Sequence, residues 1–455
     1  DELIAATPGC RYFHVGTDEP YFLGDGVECG CRARREEIGQ GGMMAEFIDR
    51  CGRYLMDKGR EVMCWGEWPM TAKDVHRLPK HIINTVWQTP EMSEAYKEHG
   101  HREVIYAPTQ GSRPLFPEYF YPPEGGRKPL RRVEFLERTV RRGPCRSYDP
   151  LGVLIAAWDD SGLHMESFWM GWALGCSWGW NPDAPAAAEA VAQFCRAFHG
   201  PETIRMPAVY RSLDLLTRFW TNAWDQAPSK RGPSYKRQWH PRYDRTLALP
   251  HVPEPENLDN RPFFRERYSG LLAEASEMRE VLGRLTDMLM ENIGRARRNR
   301  YSLEVFSSVA ALLGDFLKML DVLAGLEEKL DAARKDVGNV NYQAARAKLA
   351  EAAGAARSYV ADREATFAEL TATWEKSRCP KGQSVDGRDF VHIQDDTKNH
   401  HADWTVDLGY LIKPSRDLDI GGWADRLDEA AAEFTKLHPD AGQKWKPGWG
   451  FEEDG

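Results

Sequence analysis

Short apolar runs alternate with amphipathic stretches in the first part of this chain. Each apolar run has the length of a buried strand, and the stretches between them place apolar residues at helical spacing, as at Met44, Ile48, Cys51 and Leu55. The runs are Tyr12–Val15, Glu61–Trp65, Ile82–Trp87, Arg102–Tyr106 and Gly152–Trp158. Strands that alternate with helices predict a parallel α/β sheet.

The pattern changes after this α/β part, at about residue 200. Residues 201–262 are rich in Pro, Trp and Arg without steady periodicity, and they predict a packed connector. Three long amphipathic stretches then predict an α-helical bundle over residues 263–378, with Leu271, Ala275, Met278, Leu282, Leu285 and Leu289 on one apolar stripe. Residues 379–455 predict a small irregular C-terminal region that contains one amphipathic helix, Trp423–Leu437.

Composition limits the classes of partner. The 455 residues carry a net charge of −9, whereas nucleic acids and anionic membranes select basic surfaces, so neither is an expected partner. The run Leu151–Trp158 is far shorter than the roughly 18 apolar residues that span a bilayer. The bundle has charged faces that we expect to be solvated, although it is also the region through which we expect any homodimer to form.

Nine cysteines are scattered along the chain, and several lie in apolar runs. This usage favours free thiols in a reducing, cytoplasmic setting over a disulfide framework, although the first residue is Asp and a native N-terminus is not visible. Cys29-Gly-Cys31 is at most half of a zinc site, and His14 beside Asp18 and Glu19 lacks a second histidine. We therefore expect no metal and no cofactor.

One stretch, Tyr12–Pro20, combines an apolar run, a glycine and two adjacent carboxylates. Asp18 and Glu19 should emerge at the carboxyl end of a strand, where barrel enzymes place catalytic groups. Neighbouring carboxylates can divide into an acid and a base, as glycoside hydrolysis requires. The alternative is a solvated loop pair that caps a helix.

The segment His14-Val-Gly-Thr-Asp-Glu19 resembles the His-x-Gly-Gly-Asp-Glu signature of family 20 glycoside hydrolases, the β-N-acetylhexosaminidases. The continuation Pro20-Tyr-Phe-Leu-Gly24, with Cys29 and Cys31, is similar to the intracellular hexosaminidase D branch. Thr17 departs from the usual glycine. The resemblance implies that Asp18 orients the 2-acetamido group of the sugar, that Glu19 is the general acid/base, and that His14 supports them.

The resemblance also implies a fold. In the family the acid-bearing strand is the fourth of a (β/α)8 TIM barrel, so residues 1–200 are expected to be strands four to eight, followed by the α-helical bundle. The first three strands, and the arginine that the first of them supplies, are expected to be absent. Site residues carried over by the resemblance are Trp65, Trp87 and Trp158 as pocket walls, Tyr106 as a partner of the acetamido oxygen, and Asp160 as a ligand of distal hydroxyls.

The expected reaction is removal of terminal β-linked N-acetylglucosamine or N-acetylgalactosamine with retention, through an oxazolinium formed by the substrate's own acetamido group. Two alternatives stay open. One is a noncatalytic carbohydrate-binding relative or an inactive fragment. The other is a glycosidase in which a carboxylate is the nucleophile, but adjacent carboxylates suit this poorly, because the two groups should flank the scissile bond about 5 Å apart.

Overall fold

The computed structural model of the chain describes residues 1–20, 22–26, 28–86, 90–110, 115–121, 132–142, 150–157, 164–181, 183–223, 247–259, 262–377, 415–416 and 418–439. Within these residues the chain forms two compact units. The first contains the strands and the helices that follow them, and the second is helical. Trp87, Trp158 and Asp160 lie outside the described residues.

The first unit is built on five parallel strands in the order β1-β2-β3-β4-β5. The strands are β1 (Tyr12–His14), β2 (Glu61–Cys64), β3 (Ile83–Val86), β4 (Arg102–Gln110) and β5 (Gly152–Ala157). The helices of this part of the chain are α1 (Glu2–Ala6), α2 (Cys31–Asp57), α3 (Pro90–Glu98), α4 (Arg132–Arg142), α5 (Trp169–Trp180) and α6 (Ala187–His199). The prediction of a partial α/β barrel followed by a helical region is confirmed.

Helices cover one face of the sheet. Val62 and Cys64 of β2 pack there with Ile48 of α2 and Tyr96 of α3, and all four are fully buried. On β5 the helix α5 approaches through Gly175, where an added Cβ would lie 2.8 Å from the Ile155 side chain. Because side chains alternate along a strand, His14, Trp65, Thr85 and Tyr106 point to the opposite face.

The sheet is open in the described part of the chain, since β1 and β5 each pair with one neighbouring strand. The face that carries His14 is therefore partly exposed along β1, where Tyr12 is 41% exposed. A parallel sheet is normally covered on both faces. Because this face is partly uncovered, it has the character of a site wall rather than of a closed core.

The second unit consists of α7 (Met206–Ala223), α8 (Phe264–Arg267), α9 (Ser269–Arg295), α10 (Arg300–Gly338), α11 (Tyr342–Glu375) and α12 (Ile420–Leu437). Helix α10 packs between α9 and α11, and α12 packs on α11. Four residues of the predicted stripe on α9, namely Ala275, Met278, Leu285 and Leu289, are buried, as amphipathic packing requires. Helix α7 lies in the segment that the sequence pattern describes as a connector without periodicity, so the pattern missed this helix.

Two buried polar side chains of the second unit, Glu327 and Asn292, have structural partners. The Glu327 carboxylate accepts hydrogen bonds from the backbone N–H groups of Phe263, Phe264 and Arg265, at 2.8, 2.7 and 3.0 Å, and so caps α8. The Asn292 amide pairs with both backbone groups of Ile204. These contacts stabilise the bundle and do not form a site.

No helix in the described ranges is long and apolar enough to cross a bilayer.

Candidate active site

The loop after β1 has an unusual backbone. Gly16, Thr17 and Glu19 all have positive φ, at 72°, 84° and 50°. A β-branched residue such as Thr17 rarely adopts this conformation, and strain of this kind concentrates at functional sites, where it costs about 1–3 kcal/mol per residue. Thr17 occupies the position of the second glycine in the His-x-Gly-Gly-Asp-Glu signature. Glycine adopts a positive φ without this strain, so the backbone conformation accounts for a glycine in the signature.

Hydrogen bonds hold the loop against β2. The ladder continues one step past β1, because the N–H of Trp65 donates to the Gly16 carbonyl at 2.9 Å. The Thr17 hydroxyl donates to the Trp65 carbonyl at 3.2 Å. These contacts fix the point at which the chain turns away from the sheet, and Asp18 and Glu19 follow directly.

His14 stands beside this turn as a neutral imidazole. The Gly16 N–H donates to its Nδ1 at 3.1 Å, so Nε2 carries the proton and donates to the Thr85 hydroxyl at 3.2 Å. Desolvation lowers the pKa of His14 below its usual value, although the nearby Asp18 carboxylate acts in the opposite direction. His14 is therefore held in one tautomer next to Asp18.

Three aromatic rings line the same face of the sheet. The ring of Trp65 lies 4.8 Å from the His14 ring and 5.4 Å, edge to face, from the Tyr106 ring. Trp65 is half-buried and Tyr106 is buried. A half-exposed tryptophan flanked by rings is a surface on which the apolar face of a sugar can stack.

The structure thus brings His14, Trp65 and Tyr106 together beside the loop that bears Asp18 and Glu19. Asp18 is exposed and Glu19 is half-buried. The predicted positions of Trp87, Trp158 and Asp160 lie outside the described residues, so their part in the site stays a prediction.

Sequence reasoning missed the partners that hold these residues. Thr85 is fully buried on β3 and bonds His14, and the buried Asn84 and Tyr96 bond Gly66, which follows Trp65. The available signal was the polar pair Asn84-Thr85 within an apolar run, because a polar residue inside a buried strand needs a partner.

Among the cysteines that the structure describes, the outcome differs from the sequence expectation at one place. Cys29 and Cys31 are joined to each other by a disulfide, with Cα atoms 5.4 Å apart, which is an ordinary separation for such a bond. Cys10, Cys51, Cys64, Cys176 and Cys195 are free thiols. Among the residues that the structure describes, no group of three or more His, Cys, Asp or Glu side chains is arranged to hold a metal ion.

Residues 1–112 match the family model described as glycosyl hydrolase family 20, catalytic domain. The match spans β1 to β4 and contains His14, Asp18, Glu19, Trp65, Trp87 and Tyr106, whereas Trp158 and Asp160 lie beyond it. It is shorter than residues 1–200, the range that the resemblance predicts to be strands four to eight of the barrel. A search of curated proteins finds no match to the chain. A family 20 catalytic domain implies glycoside hydrolysis of the hexosaminidase type, with a glycan as the substrate.

Proposed function

We propose that this chain hydrolyses terminal β-linked N-acetylhexosamine, either N-acetylglucosamine or N-acetylgalactosamine, with retention of configuration. One observation carries the proposal. The Asp18–Glu19 pair leaves β1 on a strained loop that is bonded directly to the Trp65 backbone, next to an aromatic wall, in the segment that matches the family 20 catalytic domain.

In the proposed first step, the substrate's acetamido oxygen attacks the anomeric carbon while the bond to the leaving oxygen breaks. The leaving oxygen takes the bonding electron pair and a proton from the Glu19 carboxyl group. The sugar becomes a bicyclic oxazolinium, and the Asp18 carboxylate accepts a hydrogen bond from its N–H. No enzyme side chain is the nucleophile, so one carboxylate can orient while its neighbour transfers the proton.

In the proposed second step, the Glu19 carboxylate takes a proton from a water molecule as the water attacks the anomeric carbon. The bond between the anomeric carbon and the acetamido oxygen breaks, and the acetamido group is restored. Two inversions at the same carbon give retention. His14 serves as a positioning residue, because its fixed neutral ring lies between the Asp18 loop and Thr85.

The other assignments are part of the same proposal. Trp65, Trp87 and Trp158 would wall the pocket and support the sugar ring, Tyr106 would bond the acetamido oxygen, and Asp160 would bind distal hydroxyls. For Trp65 and Tyr106 the support is their edge-to-face contact at 5.4 Å on the face that carries His14. For the remaining residues the support is the family resemblance alone.

One observation favours a second candidate, a carbohydrate-binding protein without catalysis. The sheet has two unpaired edges within the described residues, so the aromatic face is partly open to solvent. A water-excluded pocket strengthens the electrostatic stabilisation of the transition state, and an open face provides less of it.

Hydrolysis of aryl β-N-acetylglucosaminide and aryl β-N-acetylgalactosaminide tests the proposal. The assay compares this chain with a longer one in which additional strand–helix units at the N-terminus close the sheet. We expect turnover by both chains, and faster turnover by the longer chain, because a closed sheet excludes water from the site. If both chains fold and neither hydrolyses the substrates, while either still binds N-acetylglucosamine, the binding candidate replaces the enzyme.

Replacing Asp18 with asparagine should lower the turnover number about 10- to 100-fold, because a charged hydrogen bond to the acetamido N–H contributes roughly 1.5–3 kcal/mol. Asp25→Asn is the matched control, since Asp25 follows on the same loop and pairs with Arg35 instead of facing His14. Steady-state kinetics of the two variants check the assignment. An unchanged turnover number in Asp18→Asn would remove Asp18 from the mechanism.

A further inference from the structure

The peptide segment Trp65–Gly66 has all four of its backbone polar groups bound by other parts of the first unit. On the side of the loop after β1, the Trp65 N–H donates to the Gly16 carbonyl and the Trp65 carbonyl accepts from the Thr17 hydroxyl. On the helix-covered side, the Gly66 N–H donates to Asn84 Oδ1 at 3.0 Å, and the Gly66 carbonyl accepts from the Tyr96 hydroxyl at 2.7 Å. We call Asn84 and Tyr96, with Gly66 between them, the Gly66 clamp.

The Gly66 clamp is buried and closely fitted. Asn84 and Tyr96 are both fully buried, and a Cβ on Gly66 would lie 1.7 Å from the Tyr96 hydroxyl oxygen. A side chain at position 66 therefore cannot be accommodated without displacing Tyr96. Burial also raises the pKa of Tyr96 well above its usual value, so the hydroxyl keeps its proton and remains a donor.

The clamp acts on a segment that faces the site. Trp65 points to the face with His14 and Tyr106, whereas Asn84 and Tyr96 lie behind the sheet and touch none of these rings in the contacts described above. Because Trp65 is also bonded to Gly16 and Thr17, its backbone couples the clamp to the loop that carries Asp18 and Glu19.

We infer that Asn84 and Tyr96 are positioning residues, which hold the Gly66 peptide so that the Trp65 ring and the Asp18–Glu19 loop keep one relative arrangement. The inference rests on the proposed function where it concerns turnover, but the position of Trp65 is a property of the folded chain. A buried polar pair that served stability alone would leave the Trp65 ring in place when one bond is removed.

The variant Tyr96→Phe tests the inference, because it removes the hydroxyl and keeps the ring. The full chain is labelled with 5-fluorotryptophan and its fluorine-19 NMR spectrum is recorded. The resonance that is absent from the spectrum of Trp65→Phe is assigned to Trp65. We expect this resonance to shift or broaden in Tyr96→Phe and in Asn84→Ala. Tyr359→Phe is the control, because it removes a buried hydroxyl bonded to Asp315 in the second unit and should leave the Trp65 resonance unchanged.

Turnover is the second readout, measured on whichever form of the chain is active. Each clamp variant should lower kcat/KM about 10-fold, and the double variant should lose less than the product of the single losses, because both residues bind one peptide. If the Trp65 resonance is unchanged in both Tyr96→Phe and Asn84→Ala, the inference is wrong, even if the chain is an active hexosaminidase. A moved resonance in a chain without hexosaminidase turnover supports the clamp and refutes the proposed function.

Discussion

Glu19→Gln is expected to lower the turnover of N-acetylhexosaminides with poor leaving groups about 10²–10⁴-fold, which is the usual contribution of a general acid. Glutamine keeps the shape of the carboxyl group but cannot give a proton to the leaving oxygen. An aryl leaving group of low basicity needs little protonation, so its first step should suffer much less. The measurement compares kcat/KM for a 4-nitrophenyl and an alkyl β-N-acetylglucosaminide.

Glu28→Gln serves as the control, since Glu28 is exposed and lies further along the same connection between β1 and α2. It should leave both substrates unaffected. Equal losses on good and poor leaving groups in Glu19→Gln would argue against a general acid and would favour a purely structural role for this carboxylate.

Glu103→Gln is expected to abolish a pH dependence of the stability of the first unit. Glu103 is buried on the helix-covered face of β4, and its pKa is raised to about 7. Desolvation is the main cause, and the like charge of Glu67 adds to it, whereas Ser93, Asn84 and Lys97 act in the opposite direction. The folded chain therefore favours the protonated carboxyl group.

The direction in which stability changes with pH follows from the number of protons bound in the folded and unfolded states. An unfolded chain loses the Glu103 proton near pH 4.5, whereas the folded chain keeps it to about pH 7. Across this window the folded state holds more protons, so the free energy of unfolding falls as pH rises, by up to about 3 kcal/mol. Glutamine stays neutral, so the variant should be more stable than the wild type at pH 8 and similar to it at pH 4.5.

Urea unfolding at pH 4.5 and pH 8 measures this difference. Glu94→Gln, at an exposed position of α3, is the matched control and should follow the wild type at both pH values. If Glu103→Gln loses as much stability as the wild type between the two pH values, the buried carboxyl group is not the cause of the dependence.

The strands could be predicted because each is a short apolar run bounded by turn residues. The prediction ended β4 at Tyr106 because Pro108 is a residue that usually interrupts a strand. The strand nevertheless continues to Gln110, and Pro108 lies next to a shift of register against β5. Helix α2 begins at Cys31, well before the predicted helical spacing that starts at Met44. The glycines near Gly39 are typical of a helix end, and this hid the first part of the helix. In the structure the helix resumes after a local break at Gly39.

Helix α7 was missed for a related reason. Pro207 and several arginines hid an apolar spacing of Val209, Tyr210, Leu213, Leu216 and Trp220, all of which are buried. A proline in the first turn of a helix is tolerated, because its missing N–H would have had no partner within the helix.

The candidate site was predictable only where the motif is local. His14, Asp18 and Glu19 lie within six residues of one another, and their pattern suffices to mark a site. The contacts of Thr85 with His14 and of Tyr96 with Gly66 join residues 71 and 30 positions apart. The first contact depends on the register of β1, β2 and β3, and the second depends on how α3 packs on the sheet. The pattern of a single strand or helix contains neither.

The relative turnover of 4-nitrophenyl β-N-acetylglucosaminide and 4-nitrophenyl β-glucoside tests the central claim most directly, because the two substrates differ only in the 2-acetamido group. The measurement uses the 455-residue chain and, in parallel, the longer chain in which the sheet is closed. If the substrate supplies the nucleophile and Asp18 orients it, the N-acetyl substrate is hydrolysed and the glucoside is turned over hardly at all. Comparable hydrolysis of both substrates would contradict substrate-assisted catalysis and would require an enzyme carboxylate as the nucleophile.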